Sequence, residues 1–394
     1  MKIVQINTTC STGSTGKICA AVSNLLTERG IENYVLYSSG YSNMPNSIRY
    51  NNDLQIKIGA FSSRLLGNWG FEGSASTLRL ITILDDLKPD IIHLHNIHTH
   101  ACRLDLLFRW IKQHGIRVLW TFHDCWAFTG YCMHYESAGC KKWESACAEC
   151  PQRMNYTWLV DRSKALYQKK KKIFEGVDLT VIAPSEWMLR QVKKSFLKDQ
   201  PVTVIKNGID LSVFRPTDDP PEQLPFVPDR FTVLGVSNIW NEKKGINTFI
   251  RLSKLLDKRY RIVLIGVDES MRQRLPSEII ALGRTKSQSE LAAYYSHADV
   301  FVNPTEEDTF PTVNIEALAC GTPVVTFDTG GSPEIIDKTC GSVVTKNNID
   351  ELAAEIRRAC ETGLFSLQAC LNRAANFDEN LKFSEYIDLY ESMK

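Results

Sequence analysis

Residues 300–336 read VFVNPTEEDTFPTVNIEALACGTPVVTFDTGGSPEII, a pattern of strand, loop, helix, strand and loop. The apolar run Val300, Phe301, Val302 predicts a buried strand. It feeds an acidic loop, Glu306, Glu307 and Asp308, and then a short helix that carries Glu316 eight residues after Asp308. Pro323, Val324 and Val325 open a second buried strand, which ends in Thr329, Gly330, Gly331 and Ser332. Open α/β sheets bind ligands at the carboxyl ends of their strands. Two successive strand ends that carry carboxylates and bare glycine amides suit a sugar joined to a phosphate.

Outward from this stretch the same alternation runs through the chain. Apolar strand patterns fall at 2–6, 33–37, 90–94, 117–121, 177–183 and 202–205, with helical spacing at 17–28 and 76–87. Ile18, Val22, Leu25 and Leu26 share one face of the first of these helices. The segment 215–229 then holds Pro216, Pro220, Pro221, Pro225 and Pro228, and proline neither donates to a ladder nor continues a helix. It is the expected linker. The alternation restarts with strands at 231–236, 261–265, 278–282, 300–302 and 324–326. Alternating β and α elements predict parallel sheets covered on both faces, here in two Rossmann-like domains.

A length of 394 residues exceeds what one core usually supports, which agrees with two domains. The net charge of +1 gives no electrostatic case for nucleic acid. No apolar run reaches the roughly eighteen residues of a membrane-spanning helix, and the first residues lack the apolar core of a secretion signal. A cytoplasmic protein is expected. Seven of the 12 cysteines are scattered singly (Cys10, Cys19, Cys102, Cys320, Cys340, Cys360 and Cys370) and are expected to act as small buried hydrophobes.

The acidic loop and the carboxylate eight residues on resemble the signature of the retaining glycosyltransferases of family 4, which have the GT-B fold. That signature is a Glu, seven residues and a second Glu; here Asp308 takes the first position and Glu316 the second. The resemblance implies two Rossmann-like parallel-sheet domains facing a central cleft. It implies an acceptor-side domain over 1–215, a nucleotide-sugar-binding domain over 216–377, and a terminal helix, 378–394, that returns to the first domain. Asp308 would bind donor sugar hydroxyls and Glu316 the nucleotide ribose. Thr309 and Phe310 would line the donor site, and Gly330, Gly331 and Ser332 would hold phosphate or sugar through backbone amides.

Four further constellations bear on that reading. After strand 231–236 comes SNIWNEKKG, where Lys244 matches the family's lysine and Asn238 stands where many relatives carry arginine. Helix starts disfavour cations, so Lys243 and Lys244 there ask for an anion, and the leaving diphosphate is one. Thr12-Gly13-Ser14-Thr15-Gly16-Lys17 lies between a strand and a helix, where a helix N-terminus attracts phosphate. Its spacing is not that of a Walker loop, and the alternative is a plain tight turn; Gly13, Ser14 and Gly16 are the donor-binding candidates by the resemblance. His123, in TFHD at a strand end, matches the family's histidine and is assigned to the transferred sugar. The run His93, His95, Asn96, His98, His100 has metal-like spacing, but an acceptor-side role for His95 and Asn96 is the expectation. The resemblance implies no cofactor for catalysis.

Cys125, Cys132, Cys140, Cys147 and Cys150 cluster in a polar, loop-like excursion. A loop this long needs a staple or a function. A structural zinc on Cys132, Cys140, Cys147 and Cys150 is expected, with reduced thiols or disulfides as the alternatives. The basic run Lys164, Lys169 to Lys172, with Arg190, Lys193, Lys194 and Lys198 beyond, suggests peripheral docking on an anionic inner membrane, against a solvated helix face.

Together these readings predict a retaining glycosyltransferase. It would move a sugar from a nucleotide diphosphate donor, expected to be a UDP-sugar, to a growing lipid-linked cell-surface glycan. An epimerase-like GT-B enzyme and a non-catalytic sugar-nucleotide-binding protein are the alternatives.

Overall fold

The computed structural model describes residues 1–98, 100–221, 223 and 229–393. Thr99, part of the linker segment (Glu222, Leu224 to Pro228, with Pro225 and Pro228) and Lys394 lie outside the described residues. Among those described, the chain forms two parallel sheets, one in each of two compact units.

The first sheet contains β1 (Lys2–Asn7), β2 (Glu32–Tyr37), β3 (Ser47–Arg49), β4 (Ile91–Leu94), β5 (Arg117–Thr121), β6 (Leu179–Ala183) and β7 (Val202–Val204). Their order is β3-β2-β1-β4-β5-β6-β7. The second contains β8 (Phe231–Val236), β9 (Tyr260–Ile265), β10 (Ile279–Leu282), β11 (Val300–Asn303), β12 (Val324–Phe327) and β13 (Gly341–Val344), in the order β10-β9-β8-β11-β12-β13. Both are doubly wound, Rossmann-like sheets. The short strands β3 and β13 are additions to the sequence reading; SIR and GSVV are too short and too mixed to show a period.

Side chains alternate across each strand, and the cores follow that alternation. Val4, Ile6, Ile92 and Leu94 point into one core of the first unit, while Ile3, Ile91 and Leu119 join Ile18, Val22 and Leu26 on the opposite face. In the second unit Leu234, Val263 and Phe301 pack on one face, and Val233, Ile262, Val300 and Val302 on the other. Burial on both faces explains why these strands read as continuous apolar runs.

The units divide at 206/207, not at the expected 215/216, and the second ends at Leu381. Residues 207–215 belong to the second unit because Ile209 donates to Phe377 O at 3.0 Å, accepts from Glu379 N at 2.9 Å, and packs with Phe214 in its core. The described residues of the proline-rich segment therefore lie within that unit. The last helix, Glu379–Glu391, contributes Phe383, Tyr386, Ile387 and Tyr390 to the first unit's core.

Candidate functional site

In the second unit, the loops after β8, β11 and β12 meet. After β8, Asn241 caps a short turn by accepting from Lys244 N at 3.0 Å. That turn brings Lys243 O to Glu306 N at 2.8 Å, which ties it to the acidic loop after β11. The two lysines then pair with the two acids in register. Lys243 Nζ lies 2.7 Å from Glu307 Oε2, and Lys244 Nζ lies 2.8 Å from Asp308 Oδ2. The pairs differ in exposure. The Glu307 side chain is 2% exposed, that of Asp308 23%. A buried carboxylate needs its cation, so Lys243 serves Glu307, and Lys244 with Asp308 is the pair open to solvent.

The loop after β12 closes on the same point. Gly330 has φ 55°, and a Cβ there would stand 1.6 Å from Asp308 O, so only glycine fits. The expectation of bare amides at Gly331 and Ser332 is corrected. Gly331 N donates to Asp308 O at 3.3 Å and Ser332 N to Thr329 O at 3.0 Å, so both amides hold the turn itself. The hydroxyls of Ser332 and Thr329 are buried with no hydrogen-bond partner among the described residues. Phe310 is also corrected: its ring, 2% exposed, packs on Phe377 at 5.8 Å and is core rather than lining. Thr309 is buried beside it.

Glu316 stands apart from Asp308 in its partners. On the helix Thr312–Ala319 it accepts from Tyr295 OH at 3.1 Å and from Thr312 Oγ1 at 3.4 Å. Asn238 is exposed, and its carbonyl accepts from Arg284 Nη2 at 3.0 Å. Arg284, two residues past β10, and Lys346, whose Nζ donates to Glu306 O at 2.8 Å, are cations of this face that the sequence reading missed. The strand-end rule would have found Arg284; Lys346 was hidden because β13 was.

The first unit carries a different cluster. Gln5 Nε2 donates to Cys19 O at 3.1 Å, which leaves its oxygen to His95 Nε2 at 3.1 Å. His95 therefore carries its proton on Nε2. Its Nδ1 accepts from His123 Nε2 at 3.0 Å. Burial holds the imidazole of His95 well below its ordinary value, with His93 and His123 adding to the effect. Burial likewise brings His123 down to about 4, against the pull of Asp124, and His93 down to about 3. All three are neutral at pH 7. His93 bonds Tyr390 OH at 2.5 Å and Thr121 Oγ1 at 2.8 Å, so the last helix anchors the cluster. Beside His123, Asp124 Oδ2 lies 2.6 Å from His98 Nε2, and His98 Nδ1 is buried without a partner among the described residues. Burial alone would raise the Asp124 carboxyl, but His98 holds it below the usual carboxylate range. His95, Asn96, His98, His123 and Asp124 line one cavity. The pairing of His98 with Asp124 was not foreseen.

Gly13, Ser14 and Gly16 fall in the first turn of the helix Gly13–Glu28, which starts earlier than the apolar period suggested. Gly13 and Ser14 are exposed there. Asn7 fastens this region to the end of β4, accepting from Asn96 N at 3.0 Å and donating to Thr9 O at 2.8 Å.

The four cysteines expected to hold zinc come together. Cys132, Cys140, Cys147 and Cys150 do line one cavity, but among the described residues no group of three or more His, Cys, Asp or Glu is placed to hold a metal ion. Cys132 Sγ accepts from Gln152 Nε2 at 3.7 Å, and Cys147 Sγ accepts from Gly130 N at 3.2 Å. Among the described residues no disulfide joins any of the twelve cysteines. The excursion is stapled by packing and by Lys170. Trp143 and Tyr131 are almost fully buried. The ammonium of Lys170 donates to the carbonyls of Trp126, Thr129 and Gly130 at 2.7, 3.1 and 3.3 Å.

Two Rossmann-like units, with paired charges at the strand ends of one and a neutral histidine cluster at those of the other, define a GT-B glycosyltransferase. The profile described as "Glycosyltransferase Family 4" matches residues 16–213, and that described as "Glycosyl transferases group 1" matches 230–362. The chain belongs to this glycosyltransferase family. It is 21% identical, over the full length of both chains, to Escherichia coli (strain K12) WcaC, named for a glycosyl transferase of colanic acid biosynthesis. It is 26% identical over 50% of its length, and 55% of the relative's, to the N,N'-diacetylbacillosaminyl-diphospho-undecaprenol alpha-1,3-N-acetylgalactosaminyltransferase of Campylobacter jejuni. HepE of Anabaena, solved in complex with UDP-glucose, shares the fold over 100% of both chains with a TM-score of 0.69 and 14% identity.

Proposed function

We propose that the protein is a retaining glycosyltransferase. It moves one sugar from a nucleotide diphosphate donor, most simply a UDP-sugar, to a growing lipid-linked glycan of the cell surface. The observation that carries this reading is the half-exposed Lys244–Asp308 pair, set against the Gly330 turn at adjacent strand ends. Support for the donor comes from HepE, whose complex holds UDP-glucose. Support for the acceptor comes from WcaC and from the Campylobacter enzyme, whose acceptor is named as a diphospho-undecaprenol.

In this reading the second unit holds the donor. Lys244 exchanges part of its contact with Asp308 for the diphosphate and stabilises the charge that develops as the sugar leaves. Asp308 then accepts from sugar hydroxyls, and Glu316 from the ribose. Thr329 and Ser332 supply buried hydroxyl donors, which are costly to leave unmet. No carboxylate is assigned as nucleophile. The bond from the anomeric carbon to the phosphate oxygen breaks, and the acceptor oxygen bonds to the same face. The acceptor proton passes to the leaving phosphate. The role of a neutral His123, whose Nε2–H is given to His95, is to accept from a sugar hydroxyl without bringing a charge. The transfer step needs no cofactor.

The test is titration of nucleotide sugars against wild type and Lys244→Ala, followed by product analysis with a lipid-linked acceptor. Saturable donor binding that weakens in the variant is expected. Unchanged binding and turnover in Lys244→Ala would sink the assignment.

A further inference from the structure

The helix Asp53–Leu66 is built inside out. A surface helix ordinarily turns its apolar stripe to the core. Here the buried residues are Gly59 and Ser63, and a Cβ at Gly59 would stand 3.3 Å from Glu72 and 3.4 Å from His100. The helix thus lies on the unit by its small, polar side. Its outward face carries Leu54, Ile58 and Phe61, which are 68%, 59% and 60% exposed. These sit at i, i+4 and i+7, one stripe of a helix.

A second segment extends that stripe. Met154, Trp158 and Leu159 are 61%, 49% and 62% exposed. The rings of Phe61 and Trp158 meet edge to face at 6.2 Å. Backbone bonds hold the two segments together: Trp158 N donates to Arg64 O at 2.7 Å, and Arg64 Nη1 to Asn155 O at 2.5 Å. The result is one contiguous apolar patch fixed on a rigid support. Isolated exposed apolar residues need no explanation, but a joined patch of this kind marks an interaction surface.

Its rim is basic. Lys57 and Arg162 are exposed, and Arg64 and Arg153 are half-buried. The nearby acids are already committed: Asp53 pairs with Arg49, and Asp161 accepts from the backbone amides of Cys150 and Ser163. A basic rim around Leu, Ile, Phe and an edge Trp fits the headgroup boundary of an anionic bilayer. A two-fold contact between copies would set like charges against each other. The basic run singled out in the sequence is a poorer candidate, because Lys170 is buried and Lys169 pairs with Asp105 at 3.0 Å.

We propose that this patch seats the first unit in the surface of an anionic membrane, which brings the enzyme to an acceptor carried on a lipid. The proposal rests on the lipid-linked reading given above, and vesicle binding tests it without donor or acceptor. Full-length protein is floated with vesicles of phosphatidylethanolamine and phosphatidylglycerol, and separately with phosphatidylcholine alone. Wild type floats with the anionic vesicles and is released as salt rises to about 0.5 M, where exposed charges are screened. The double variant Ile58→Glu, Phe61→Glu loses about tenfold or more of that partitioning, with its melting temperature and nucleotide-sugar binding unchanged. Wild type that stays with the soluble fraction in both mixtures overturns the proposal, as does a double variant that floats equally well. A concentration-dependent dimer seen by sedimentation and abolished by the same variant assigns the patch to self-association and also overturns it. Flotation without nucleotide-sugar binding upholds the surface and removes the transferase reading instead.

Discussion

Lys244 and Asp308 meet at 2.8 Å with side chains 38% and 23% exposed, whereas His95 meets His123 at 3.0 Å with only 1% of His95 exposed. The first pair is charged and reachable by solvent. The second is neutral, and burial is what makes it so. Opposite charges can be displayed in water at little cost, so the second unit presents them on neighbouring loops. A histidine that must stay uncharged needs a dry site, so the first unit assembles Gln5, His93, His95, His123 and Tyr390 from far apart in the chain. In the proposed reading the region of the first pair binds a charged group and that of the second orients hydroxyls.

The largest effect that tests this contrast is loss of the exposed cation. Lys244→Ala is expected to lower turnover by about a hundredfold or more. Its melting temperature should stay close to wild type, because neither partner is buried. If Lys243→Ala instead abolished turnover with folding intact, the division between a structural and a functional lysine would be reversed. Next is the turn that shapes the same pocket. Gly330→Ala forces a Cβ against Asp308 O from a left-handed backbone, and a cost of about 1–3 kcal/mol in stability is expected. Donor affinity should fall with it. A thermal melt and a nucleotide titration check both; an unshifted melt would show that the loop relaxes freely.

The histidine cluster makes a prediction of its own. Protonation of His93 and His123 is disfavoured in the folded state, where their values fall from 6.5 to about 3 and about 4. The unfolded chain therefore binds more protons over that interval. Their contribution to stability is whole above pH 6.5 and is lost as pH falls from there towards about 4 for His123 and about 3 for His93. Denaturant titrations at several pH values should show that decline. His93→Gln should flatten part of it, since glutamine can still reach Thr121 or Tyr390 but does not titrate. An equal slope in the variant would place the acid sensitivity elsewhere.

What the sequence disclosed follows the same division. The doubly wound sheets were legible because strands buried on both faces are apolar throughout. Lys244, Asp308 and Gly330 could be singled out because each lies in a loop that follows a strand, and Glu316 because it stands eight residues after Asp308. Pairing across the chain was not. Nothing near residue 5 announces that Gln5 fixes the tautomer of His95, and nothing in a stretch of lysines announces that Lys170 is the buried one. The four cysteines suggested a zinc staple by spacing, but spacing shows neither the aromatic packing nor the Lys170 bonds that also hold the excursion. The inverted helix Asp53–Leu66 was missed for a related reason: an apolar period marks a face but not whether that face turns inward.

Glu316 offers the finest test of the comparison, because it is a carboxylate in the charged region that already has neutral partners. Tyr295 OH and Thr312 Oγ1 both donate to it. If its task is to accept from the ribose, an amide oxygen can do part of that work, and the charge itself matters less than at Asp308. Glu316→Gln should then weaken nucleotide binding by about tenfold, the worth of one charge-assisted bond reduced to a neutral one. Turnover at saturating donor should change little, since the ribose contact is as strong before the transfer as during it. A fall in kcat with KM unchanged would move Glu316 to the reacting sugar and leave the nucleotide to other groups.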